Sequence, residues 1–99
     1  MLETLTYDQF PPLVGTLFHL VLENGQRHDL QLVSAGKVME SQAARLKRNA
    51  FSLFFLGPHE PMFEQHIYTF EHDTLGTLEF FIVPVGHDAA GMLYEAVFT

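Results

Sequence analysis

Asn24-Gly25 separates two runs in which apolar and polar residues alternate. Both turn residues tolerate the positive φ of a tight hairpin turn, and a period of two is that of half-buried strands. Before the turn, GTLFHLVLE (15–23) places Thr16, Phe18, Leu20 and Leu22 on one face and Leu17, His19, Val21 and Glu23 on the other. After it, RHDLQLV (27–33) points Leu30 and Leu32 inward and Arg27, Asp29 and Gln31 outward. The apolar face of such a hairpin has to be buried against another layer.

The same punctuation recurs. AFSLFFL (50–56) runs into Gly57-Pro58, and HEPMFEQ (59–65) reads as a loop. IYTFEHD (67–73) follows, with Tyr68 and Phe70 on one face. Asp73-Thr74-Leu75-Gly76 turns the chain into TLEFFIVPVG (77–86), and residues 86–91 turn it into MLYEAVFT (92–99). Pro84 has no amide hydrogen for a ladder, so its strand is an edge or carries a bulge. Thr6 and Gln9 have capping-box spacing, which predicts a short helical turn near Tyr7 that Pro11-Pro12 stops. The expected fold class is all-β: about six antiparallel strands in a meander, forming a small barrel or sandwich, with a short N-terminal helical turn. At 99 residues the chain makes one domain, 1–99, with one core.

Charge narrows the function classes. The formal net charge is −7, and every lysine and arginine (Arg27, Lys37, Arg45, Lys47, Arg48) falls in the window Gln26–Arg48. From residue 49 onward there are acids and no lysine or arginine, which disfavours nucleic acid and anionic lipid as partners. Lys37–Asn49 has few large apolar residues and reads as an exposed excursion, partly helical, whose cations offset the acidic body or meet an acidic partner. The absence of cysteine excludes disulfides and thiolate metal sites. MLETLTYDQFPPL lacks the basic and apolar regions of a signal peptide, and FSLFFL and FFIVPV are too short to cross a bilayer as helices. A cytoplasmic protein is expected.

No catalytic constellation stands out. His59, Glu64 and His66 lie on or beside one loop, within reach of one metal ion, but their spacing matches no known signature. The bland reading, polar residues at strand ends, is preferred, and no metal or cofactor is expected. Ser34, Ser41 and Ser52 lack a nucleophile-elbow context. Glu79 and Glu95 could face each other across two strands, and a solvated outer face is their ordinary role.

The third and fifth strands are apolar on both faces. Phe51, Leu53 and Phe55 oppose Phe54 and Leu56; Leu78, Phe80 and Ile82 oppose Phe81, Val83 and Val85. The second face must be covered, either by the N-terminal Phe10, Leu13 and Val14 or by another subunit or partner.

AFSLFFLGP and IYTFEHDTLGTLEFFIVPVGHDAAGMLYEAVF, with FPPLVGTLFHL at the start, resemble a small bacterial family of uncharacterised function. The resemblance spans the chain outside 36–49, and the motifs are strand cores and turns. The sequence departs from that family at Leu56, where a cation is frequent. The family is loosely associated with phage-tail-collar-like genes, which implies an accessory or assembly role. The expectation is therefore a non-enzymatic interaction module bound to a protein partner or to its own copies. Phe54, Leu56, Phe81 and Val83 are the first candidate surface; Lys37, Arg45, Lys47 and Arg48 are the second. The alternative is a barrel that holds an apolar small molecule.

Overall fold

The computed structural model describes residues 7–37 and 51–98. Two consecutive 3-10 turns, Tyr7–Gln9 and Pro11–Leu13, precede six strands: β1 (Leu17–Val21), β2 (Arg27–Lys37), β3 (Phe51–Gly57), β4 (His66–His72), β5 (Gly76–Asp88) and β6 (Gly91–Phe98). The expected N-terminal turn is present, but Pro11-Pro12 begins a second turn instead of ending the first. The first position of a helical turn leaves its amide unpaired anyway, so proline costs nothing there.

The strands close into a barrel in the order β1-β2-β3-β6-β5-β4, every neighbouring pair antiparallel. The fold is thus the barrel of the two expected architectures. It is built from two three-stranded meanders, β1-β2-β3 and β4-β5-β6, each lending its outer strands to the other. Short turns join β1 to β2, β4 to β5 and β5 to β6, whereas residues 38–50 separate β2 from β3. The 58–65 connection does not make a hairpin, since β3 pairs with β6 and not with β4, so a simple meander through all six strands is not what forms.

Each meander bulges on its middle strand. The β2–β3 register slips between Leu32 and Ser34, and the β5–β6 register slips between Pro84 and Gly86. The extra residues, Val33 and Val85, both stand exposed. A bulge bends a long strand, which lets β2 and β5 each reach two partners around a tight barrel. Pro84 sits at the slip, where its missing amide hydrogen is tolerated. β2 continues past Val33 through Ser34, Ala35 and Gly36 to Lys37. These small residues favour a loop, yet pairing with Ser52–Phe54 holds them in the sheet.

Strict alternation fills the interior. Phe18, Leu20, Leu30, Leu32, Leu53, Phe55, Phe70, Ile82 and Tyr94 are fully buried. Phe70 stacks on Phe80 at 4.2 Å between centroids, and Phe55 lies 5.7 Å from Phe80 and 5.2 Å from Phe18. Burying one such side chain stabilises by about 1.5–3 kcal/mol.

Each end of the barrel is closed by an aromatic ring. At one end Phe10 is fully buried, 5.5 Å from Phe51 and 6.0 Å from Phe98. The N-terminal segment therefore plugs the barrel mouth, and Phe10 does not cover the outer face. At the other end Phe63 enters from the 58–65 connection, and its amide donates to the Tyr94 hydroxyl at 2.9 Å. Of the expected basic excursion Lys37–Asn49, Lys37 belongs instead to β2, held there by pairing with Phe51, and residues 38–49, with Arg45, Lys47 and Arg48, lie outside the described residues.

Candidate functional site

The outside of the barrel has two unlike halves. Across β1, β2 and the adjoining end of β4 the charged outward side chains compensate one another, although Leu17 and Val33 are also exposed there. Arg27 and Glu71 reach over β1 to an ion pair of 2.6 Å, and His19 Nδ1 lies 2.6 Å from Asp29 Oδ1.

Across β4-β5-β6-β3 the outward side chains are mostly apolar. Ile67 stands opposite Phe81, Val83 opposite Glu95, Glu95 opposite Phe54, and Leu93 opposite Leu56. Ile67, Phe81 and Val97 are 58%, 46% and 54% exposed, a large share for such residues. Val83, Leu93, Phe54 and Leu56 are half-buried. The candidates Phe54, Leu56, Phe81 and Val83 thus share one surface with Ile67, Leu93 and Val97. Ile67 was legible in principle, because it alternates with Tyr68 and Phe70. Its position beside Phe81 required the β4–β5 register.

Glu95 lies among these side chains. It is half-buried, with Val83 on one neighbouring strand, Phe54 on the other, and Leu93 and Val97 two residues away on its own strand. Among the described residues it has no hydrogen bond or ion pair. The register does not pair it with Glu79, which stands opposite Thr69, so the facing carboxylates do not form.

The other sequence candidates take structural roles. Lys37 is the last residue of β2, opposite Phe51. His59 Nε2 donates to the Asp88 carbonyl at 2.6 Å, the Glu64 carbonyl accepts from the Tyr68 hydroxyl at 2.8 Å, and the His66 ring packs on Tyr68 at 5.4 Å. Among the described residues no three His, Cys, Asp or Glu side chains are grouped to hold a metal. Ser34 and Ser52 face outward opposite Phe54 and Val97; Ser41 is outside the described residues. Burial raises the Tyr94 hydroxyl pKa, and burial followed by the nearby Glu64 charge raises that of Tyr68.

His72 was not singled out by its sequence context, which is a strand end like several others. It is buried against Phe18, 4.3 Å between ring centroids. Its Nδ1 accepts the amides of Thr74 and Leu75, at 3.0 and 3.3 Å. Its Nε2 is 2.9 Å from Thr16 Oγ1, which itself donates to the Leu13 carbonyl at 2.7 Å. This network requires a neutral ring with the proton on Nε2. Burial lowers the pKa accordingly, against the opposing pull of Asp73.

The β1–β4 ladder comprises three pairs, from His19↔Glu71 to Val21↔Thr69. Beyond it the strands part around an open groove of about 490 Å³ lined by Val21–Asn24 and His66–Thr69.

These features define a small closed antiparallel β-barrel domain with a filled interior and one apolar outer face. The chain belongs to the family described as Domain of unknown function (DUF6916), which matches residues 5–98. No curated protein and no solved structure matches it. Among the described residues no helix is long and apolar enough to cross a membrane.

Proposed function

We propose that this chain is a non-enzymatic interaction module that docks a protein on its β4-β5-β6-β3 face. The observation that carries the reading is the register-aligned group Ile67, Phe81, Val83, Val97, Phe54 and Leu56 on the outside of a barrel whose core is already complete. Exposed apolar side chains grouped in this way mark interaction sites in soluble proteins. The resemblance to a bacterial family near phage-tail-collar-like genes suits a part in such an assembly, in the bacterial cytoplasm. The alternative of an apolar ligand inside the barrel needs interior room. The rings of Phe18, Phe55, Phe70 and Phe80 occupy that interior, which favours the outer face.

Site-specific photo-crosslinking in the native host tests this reading. A photoreactive residue in place of Phe81 should form a protein adduct, and one in place of Asp29, on the polar half, should not. Val83→Glu should abolish the adduct. Equal labelling from both positions, or none from position 81, overturns the reading.

A further inference from the structure

Among the described residues the apolar face carries two carboxylates that the barrel leaves uncompensated, Glu79, which is exposed, and Glu95, which is half-buried among apolar side chains. On the polar half, Arg27 answers Glu71 and His19 lies against Asp29. On the apolar half, Glu95 has neither ion pair nor hydrogen bond among the described residues. Val83 and Phe54 stand directly beside it, with Leu93 and Val97 before and after it on β6. A surface laid over these side chains takes water away from the carboxylate. An ionised carboxylate that loses its water without gaining a cation is strongly disfavoured.

We propose, resting on the docking reading above, that the partner is a protein surface with apolar side chains around a single lysine or arginine, which meets Glu95. Charge complementarity decides between this occupant and a second copy of the chain. A two-fold axis through the centre of this face would set one Glu95 against another, and like charges so placed repel. Outward side chains of this face beside Glu95 supply no cation; the next charge on β5 is Glu79, again an acid. The geometry of docking also follows. The strands beside Glu95, β5, β6 and β3, are each paired on both sides, so side chains make the contact around it. An amphipathic helix laid on the sheet is the simplest such surface.

The test uses three fluorescent amphipathic helical peptides whose apolar faces carry lysine, norleucine or glutamate at the centre. Binding is read by anisotropy on the whole chain, with circular dichroism to verify the fold of each variant. The wild type should bind the lysine peptide at least about tenfold more tightly than the glutamate peptide. Glu95→Lys should reverse that order, and Phe81→Ser should weaken the lysine peptide. Equal binding of all three peptides overturns the cationic partner and leaves the docking face standing. Failure of all three to bind the wild type overturns both. A wild-type dimer in sedimentation that Phe81→Ser dissolves also overturns the cationic partner, in favour of a second copy.

Discussion

His72 on β4 and Thr16, just ahead of β1, are joined by a hydrogen bond of 2.9 Å that ties the last turn of the N-terminal segment to the closing strand of the barrel. The ring is neutral in this arrangement, because Nδ1 accepts two amides. Burial holds the folded-state pKa below the ordinary histidine value. In the unfolded chain the imidazole takes up a proton at about pH 6.5. Below that pH the unfolded state binds more protons than the folded one, so stability falls as pH drops towards the lowered folded value. The contribution is intact above about pH 6.5. Urea unfolding should show lower stability at pH 5.5 than at pH 7.5, and His72→Gln should flatten that dependence. An unchanged slope in the variant would refute the assignment.

Tyr94 and Phe63 provide a second test. Tyr94→Phe keeps the packing and removes the acceptor for the Phe63 amide, which lies in a buried contact. An unpaired buried donor costs about 1–3 kcal/mol. The variant should fold and unfold at a correspondingly lower urea concentration. A shift below about 0.5 kcal/mol would mean that water replaces the hydroxyl.

Two glycines should respond very differently to alanine. A Cβ on Gly91 would run into the Gly57 carbonyl, in the β3–β6 ladder where neither backbone can retreat. Gly91→Ala should cost about 2–4 kcal/mol in chemical unfolding. Gly25, with φ of +90° in the first hairpin turn, has open space around it. Gly25→Ala should cost about 1–2 kcal/mol from backbone strain alone. Equal costs would refute the steric account.

Adjacent residues on β5 should differ as sharply. Phe80 is 3% exposed and Phe81 46%. Phe81→Glu should leave the fold intact, with a stability change within about 0.5–1 kcal/mol. Phe80→Glu should give an unfolded or insoluble chain, because it buries an unpaired charge. Circular dichroism and sedimentation read both. A destabilised Phe81→Glu would make that ring part of the core and remove it from the proposed face.

What could be read from the sequence was local. The period of two pointed Leu30 and Leu32 inward and grouped Phe18 with Leu20 and Phe80 with Ile82, all of which are buried, and Asn24-Gly25 marked the first hairpin. Pro84 marked an edge or a bulge because it cannot donate, and the structure has the bulge. Long-range choices were not legible: nothing in 51–57 says that β3 pairs with β6 rather than β4. The strand expected over 27–33 continues through Ser34, Ala35 and Gly36 to Lys37, because tertiary pairing overrides weak strand propensity. For the candidate face, two-sided apolar strands pointed to Phe54 and Phe81. The relation of Glu95 to both emerges only when two registers are combined.

The short β1–β4 ladder also sets the order of events in time. Its partners, His19–Val21 and Thr69–Glu71, are the most distant in sequence of any pairing within the first five strands. Joining them closes a large loop of chain for three residue pairs, whereas β1–β2, β4–β5 and β5–β6 zip up from the short turns between them. The ring therefore shuts late during folding and parts early during fluctuation. In native-state hydrogen exchange, the amides along this seam should lose protection before those of the long β3–β6 ladder.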